Sequence, residues 1–307
     1  MERAENYARF INVTFNMALD MPPHMQEDWK PLLAITQDRD GYHQKYGRAV
    51  EKNNVIRWLA FDAENPNSIL NSLYNVRENA RTVREAISSE MWEQINRLYL
   101  ATKAYDEDRI AAMDDTSPFT SQIIHGLQLV AGITASTISH GEAWHFSRLG
   151  KFLERADKTS RILDVKYHIL LPEAGAVGGP IDLIQWAALL KSVSGYSVCR
   201  RQCGTITPRN VIALLTLDPK FPRSIFFCVA QARRSLREIL DEAPRDRHLL
   251  PEKLLGTLHT ELQYASVHDI IVEGVHEFMD RIQFDINAIS DALWETFFAI
   301  KTQTQPS

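Results

Sequence analysis

Glu154-Arg155-Ala156-Asp157, with Arg161, Asp164 and Val165 further along, restates Glu2-Arg3-Ala4-Glu5 with Arg9, Asn12 and Val13. The echo continues outward. Trp29, Leu32 and Leu33 answer Trp186, Leu189 and Leu190, and Asn54-Val55-Ile56 answers Asn210-Val211-Ile212. The match then runs through Leu59/Leu215, Asp62/Asp218, Pro66/Pro222 and Ser68-Ile69/Ser224-Ile225, and Arg77 and Arg81 meet Arg233 and Arg237. A period of about 150 residues is too long for a solenoid unit and points to a duplicated half. Residues 1–115 and 140–300 are the expected repeats, joined by a helix near 118–139 within one domain spanning 1–307.

Nearly every segment has helical period, and none alternates apolar and polar residues as a half-buried strand does. The fold class is therefore all-α: an internally duplicated helical bundle with pseudo-two-fold symmetry. Helices are expected over 1–19, stopped by Pro22-Pro23, and over 29–36, before a polar turn around Gly41. Others follow over 51–62, 68–87, 89–105 and 117–139, with Ser68 and Ser117-Pro118 as starts. The second half reads as helices over 142–170, 181–194, 196–203, 208–216, 222–241, 251–264 and 267–300. Pro172 to Pro180 is a loop, and 301–307 is a polar tail.

The net charge of -5 comes without a basic run, which argues against nucleic acid or an anionic membrane as partner. No apolar stretch is long enough to span a bilayer, and the start of the chain lacks the apolar core of a signal peptide. Three cysteines suit a reducing compartment, so the expected location is cytoplasmic. Cys199 and Cys203, four apart with no second pair nearby, read as small buried residues rather than zinc ligands.

On the second Glu-Arg helix, Leu149, Leu153, Ala156, Ser160 and Leu163 share one face. Asp157/Arg161 and Glu5/Arg9 are acid-to-base pairs at i,i+4, worth a few tenths of a kcal/mol if solvated. Trp144, Phe146, Phe152 and Ile162 lie off the main stripe, so the helix is apolar on more than one side. A helix of that kind is largely buried, and its Glu and Arg must then be paired. Arg77/Arg81 and Arg233/Arg237 repel unless carboxylates or a bound anion lie between them. Two readings stay open: a closed Glu/Arg network, or an anion clamp. The candidate binding residues are Arg3, Arg9, Arg77, Arg81, Arg155, Arg161, Arg233 and Arg237, and the candidate acid/base groups are Glu2 and Glu154.

Glu142-x-x-His145 and Glu273-x-x-His276 each place a carboxylate and an imidazole on one helical face, as in dinuclear carboxylate bundles. They are not equivalent in the repeat, and no further pair of glutamates matches them, so a capping or core role is preferred and no metal is expected. P-loop, dinucleotide-turn and Gly-x-Ser-x-Gly motifs are absent, and no cofactor is expected.

Leu149-Gly150-x-x-x-Glu154-Arg155-Ala156-Asp157-x-Thr159-Ser160-Arg161-Ile162-Leu163-Asp164-Val165, preceded by Trp144-x-Phe146, resembles the signature of the bacterial alpha-E proteins. Asn65-Pro66-Asn67-Ser68-Ile69, leading to Arg77-Glu78-Asn79-Ala80-Arg81, does so too. The resemblance spans essentially the whole chain. It implies a helical protein carrying the Glu-Arg motif twice, encoded beside or fused to a circularly permuted ATP-grasp protein, often with transglutaminase-like peptidases nearby. The implied role is an accessory component of an ATP-dependent amide- or peptide-forming system. Alternatives are an enzyme in its own right, with Glu2 and Glu154 as acid/base groups and Arg3, Arg155, Arg77 and Arg233 binding a carboxylate or phosphate, or a purely structural bundle.

Three expectations follow from the motif helices. The two Glu-Arg helices should come close to each other near the pseudo-two-fold axis, because each half repeats buried charges whose partners the other half can supply. Arg155→Ala should cost roughly 3–5 kcal/mol by stranding a buried charge, while Lys158→Ala, on a wetter side, should stay within about 0.5 kcal/mol. Alpha-E proteins usually begin with an aromatic-rich stretch ahead of the first Glu-Arg, and residues 140–152 have no counterpart before Met1. The chain is therefore expected to be short at its N-terminus, leaving an apolar groove. Reading the DNA upstream of Met1 checks this: an in-frame aromatic-rich helix supports it, and an immediate in-frame stop codon ends it.

Overall fold

The computed structural model describes residues 1–20, 29–111, 115–168, 179–242 and 249–299, and among them there is no strand. The helices are α1 (Glu2–Asp20), α2 (Lys30–Thr36), α3 (Arg39–Tyr46), α4 (Lys52–Ala60), α5 (Ile69–Thr82), α6 (Ser89–Lys103), α7 (Glu107–Ala111) and α8 (Ser117–Thr137). They continue as α9 (Glu142–His168), α10 (Pro180–Ser192), α11 (Tyr196–Cys203), α12 (Pro208–Ile212), α13 (Ile225–Glu242), α14 (Leu250–Tyr264), α15 (Val267–Glu273) and α16 (Val275–Phe297). The expected Pro22-Pro23 stop, most of the Pro172 to Pro180 loop and the polar tail lie outside the described residues.

Local chemistry sets many of the boundaries. Ser68, Ser88 and Thr207 each accept a hydrogen bond from a backbone N–H three residues on, satisfying an orphan donor at the starts of α5, α6 and α12. Ser117 is not the cap expected of it. It is the first residue of α8, and its N–H donates to Asp115 instead.

The polar stretch around Gly41 is helix α3 rather than a turn. Tyr42 is fully buried and stacks on Tyr46 with ring centres 5.2 Å apart. A Cβ on Gly41 would sit 2.8 Å from the Trp58 ring, so the glycine lets α3 lie close against α4. Packing overrides local composition here. The helix expected over 267–300 is two helices. Ser266 and Asp269 form a capping box that starts α15, and Gly274, at φ 106°, separates α15 from α16.

One large hydrophobic core draws on both ends of the chain, including Tyr7, Ile11, Ile56, Leu59, Ile123, Leu163, Leu190 and Ile282. α1 packs on α5, α8 and α10, and α9 packs on α13, α16 and α2. Outside them, α6 joins α5 to α8, and α14 joins α13 to α16. Being enclosed, α1 and α9 carry their charged residues inward; Glu2, Glu5, Arg155, Asp157, Lys158 and Arg161 are all buried.

Gly274→Ala is expected to cost about 1–3 kcal/mol, because φ 106° is a region that side-chain-bearing residues avoid. Urea denaturation measures it. A loss near zero would mean the α15–α16 break re-forms without the glycine.

Candidate functional site

The two Glu-Arg motifs meet, and they exchange partners. Arg155 on α9 grips Glu2 on α1 with Nε donating to Oε1 at 2.8 Å and Nη2 donating to Oε2 at 2.8 Å. Arg3 on α1 grips Glu154 on α9 with the same two atoms, also at 2.8 Å each. Both forks are bidentate, the strongest geometry a guanidinium and a carboxylate can adopt.

Around these forks the remaining donors and acceptors are satisfied in turn. Arg155 Nη1 donates to the Pro222 carbonyl at 3.2 Å, and Arg3 Nη1 donates to Asn67 Oδ1 at 2.6 Å. Arg9 pairs with Glu5 one turn earlier at 2.8 Å and donates to Ser194 Oγ. Arg161 forks onto Asp157 at 2.6 and 2.9 Å and reaches Gln283 Oε1 on α16. Lys158, expected on a wetter side, is buried between Asp157 at 3.1 Å and Glu154 at 3.7 Å. The side of α9 opposite its apolar stripe is where α1 docks, so it is not wet.

Burial alone would raise the Glu2 carboxyl, but the hydrogen bond from Arg155 and the charges of Arg155 and Arg223 outweigh it and hold it below the usual carboxylate range. Burial likewise opposes, and Arg3 and Lys158 overcome, in lowering Glu154. Asp157 is lowered against burial mainly by Arg161. These carboxylates are ionised acceptors with both oxygens engaged, poorly suited to donate a proton at neutral pH.

Sequence reasoning missed Arg223. Buried at the entrance to α13, it donates to Glu2 Oε1 at 3.1 Å, Asn6 Oδ1 at 3.0 Å and Glu5 Oε1 at 2.6 Å. It follows Pro222 as Asn67 follows Pro66, and Asn67 is the residue that holds Arg3. The signal was the repeated Pro-x-Ser-Ile block, whose variable position points at the motif in both cases.

The other arginine pairs lie apart from this cluster. Arg77 and Arg81 share Glu78, at 2.7 and 2.8 Å, which relieves their repulsion, and Arg77 also donates to Asn96. Arg233 faces His259 on α14, and Arg237 is exposed. The four residues of the metal motif are not assembled either. Glu142 is exposed while His145 is buried, and Glu273 pairs with Arg281. His276 instead meets Asp164 and Asp280, their ligating atoms lying within 4.8 Å of one another. Cys199 is buried as expected, whereas Cys203 is exposed.

Beside the forks opens a cavity of about 750 Å³. Its charged lining includes Glu2, Arg3, Glu5, Arg9, Arg148, Lys151, Glu154, Arg155 and Arg223, and Val76, Leu127 and Ala131 of α5 and α8 form an apolar wall.

Residues 1–298 match a protein family described as a predicted alpha-helical domain with a conserved ER motif. Among curated proteins, the chain is 21% identical over 99% of its length to the uncharacterized protein Rv2567 of Mycobacterium tuberculosis, and 22% identical over the same share to the uncharacterized protein Mb2597 of Mycobacterium bovis. It spans only 36% of the length of each. No solved structure gives a significant match. No helix among the described residues is long and apolar enough to cross a membrane.

Arg155→Ala should cost about 3–5 kcal/mol by stranding buried Glu2, and Lys158→Ala about 1–3 kcal/mol, well above the surface-like loss its helical-wheel position suggested. Chemical denaturation orders the two; a neutral Lys158→Ala would return that residue to the surface. The lowered carboxylates also set a pH dependence. Their stabilisation is complete above the ordinary carboxyl value of about 4.5 and is lost as pH falls through the depressed folded values. Glu2→Gln is expected to flatten the loss of stability below pH 4.5, and an unchanged slope would exclude Glu2 from it.

Proposed function

The chain belongs to the Alpha-E family, and from that premise we propose that it is a helical accessory component of an ATP-grasp amide-ligase system, presenting a Glu/Arg-rimmed cavity to a substrate or to its partner. The observation that carries this over an independent enzyme is the reciprocal pairing. Glu2 and Glu154, the best acid/base candidates, are each forked by an arginine of the other motif and held ionised. Such groups hold a shape and a charge pattern; they do not shuttle protons. A circularly permuted ATP-grasp protein as partner is what the family resemblance implies. The curated relatives are longer, the chain spanning 36% of their length, so in them a domain of this kind adjoins further sequence. A cytoplasmic location, where ATP is available, agrees with three free cysteines.

We also infer that the protein is an internal duplication, α1–α8 and α9–α16, with an approximate two-fold axis through the exchanged forks. Among the described residues each run contains eight α-helices, with long helices at the first, fifth, sixth and eighth places. The packing of α1 on α8 and α5 parallels that of α9 on α16 and α13, and the second helix of each run lies on the first helix of the other. On this reading α8 is the last helix of the first repeat, rather than the connector over 118–139 that the sequence suggested.

The deciding experiment purifies the chain alone and together with the ATP-grasp protein encoded beside it, and follows ATP consumption with amide formation. Activity that requires both proteins, together with their co-purification, is expected. Turnover of ATP and an acyl acceptor by the isolated chain would overturn the accessory role.

A further inference from the structure

The charges around the cavity do not balance, and the imbalance has an address. Each carboxylate of the lining is already committed: Glu2 to Arg155 and Arg223, Glu5 to Arg9 and Arg223, and Glu154 to Arg3 and Lys158. Two side-chain cations of the lining, Arg148 and Lys151, have no carboxylate at salt-bridge distance among the described residues.

These two lie three residues apart on α9 and therefore on one face, with Arg155 a further turn along. Like charges so placed repel, and for Lys151 only the longer-range charges of Glu2 and Glu5, already forked by other arginines, work against the repulsion. Arg148 is nevertheless held in place. Its guanidinium lies 4.4 Å from the centre of the Trp144 ring and 4.9 Å from that of Phe152, and Nη2 donates to Gln231 Oε1 at 2.6 Å. A guanidinium fixed between two rings with donors to spare is preorganised for an oxyanion. Lys151 reaches the same cavity, half-buried, with the Phe152 ring 5.5 Å away. Burial and the neighbouring Arg155 lower its pKa, so an arriving anion would relieve a cost already present.

We propose that this cavity binds a small dianion, a dicarboxylate or a phosphate, between Arg148 and Lys151. Two cationic side chains without a bridging carboxylate suit a doubly charged ligand, and about 750 Å³ is room for a metabolite-sized molecule. The committed pairs around Glu2 and Glu154 form the floor beneath the ligand and take no part in holding it. This goes beyond the accessory role and stands if that role fails, because it is tested on the isolated chain.

The test is calorimetric titration of the purified protein with glutarate and with inorganic phosphate, at constant ionic strength maintained with chloride. Saturable binding of at least one dianion is expected, and the tighter of the two identifies the chemical source. Lys151→Met and Arg148→Gln should each weaken it about tenfold, the loss of one charge-assisted hydrogen bond. The ligand-free thermal midpoint of Lys151→Met should hold or rise, since repulsion is removed. Should Arg148→Gln fail to fold, Lys151→Met carries the test alone. The proposal is overturned if neither dianion saturates, if Lys151→Met leaves affinity unchanged, or if its ligand-free midpoint falls, which would make Lys151 a structural charge.

Discussion

Two arginines, each reaching across to the glutamate of the other's motif, fix how α1 and α9 meet, and the rest of the bundle follows from that meeting. Burying such pairs is costly, because desolvation takes back much of what the Coulomb attraction supplies, and an apolar contact of equal volume would serve stability as well. What the forks add is register. An axial slip or a rotation by one residue, about 100° on a helix, would leave Glu2 and Arg155 buried without partners and part the half-buried Arg3 from Glu154. Arg223 extends the lock to the entrance of α13, so three helices that are distant in sequence have one mutual arrangement.

That arrangement explains which features were legible in the sequence. Helical period and capping residues are local, and they placed α5, α6 and α12 at their observed starts. The duplicated Glu-Arg motif named the central residues, because burial on several sides demands partners for charge. That the two motif helices would meet was legible, because each half repeats charges that need partners; which residue pairs with which was not. Spacing at i,i+4 finds Asp157 and Arg161 but cannot find a glutamate 153 residues away, and it put Lys158 in water because the helix that covers it lies elsewhere in the chain. Arg77 and Arg81 show the complementary case: the carboxylate between them is Glu78, a neighbour in sequence, which relieves part of their repulsion without help from the Glu-Arg helices. Around Gly41, a composition suited to a turn was overruled by aromatic stacking of Tyr42 and Tyr46 beside Trp58.

α9 divides its length between two tasks. From Arg155 to Leu163 every residue is buried, and the charges there have partners within the protein. Ahead of that stretch, Trp144, Arg148 and Lys151 line open space. A rigid segment of paired charges continuing directly into a half-buried cationic one is a good mounting for recognition, since the recognising side chains inherit the immobility of the helix beneath them. The separation also means that the carboxylates which hold the fold together are not the groups a ligand would disturb.

The forks have a further consequence for a nascent chain. Glu2 and Arg3 leave the ribosome well before the residues that complete them, which are more than 150 positions behind. At 5–20 residues per second, that interval is roughly 8–30 s. During it α1 can rest its apolar face on α5 and α8, with Arg3 on Asn67 and Arg9 on Glu5, but Glu2 still lacks the arginines that pair with it. Because contacts this distant in sequence form late and slowly, the first half is expected to wait as a loosely seated intermediate until α9 emerges, and translation order becomes part of how the bundle is assembled.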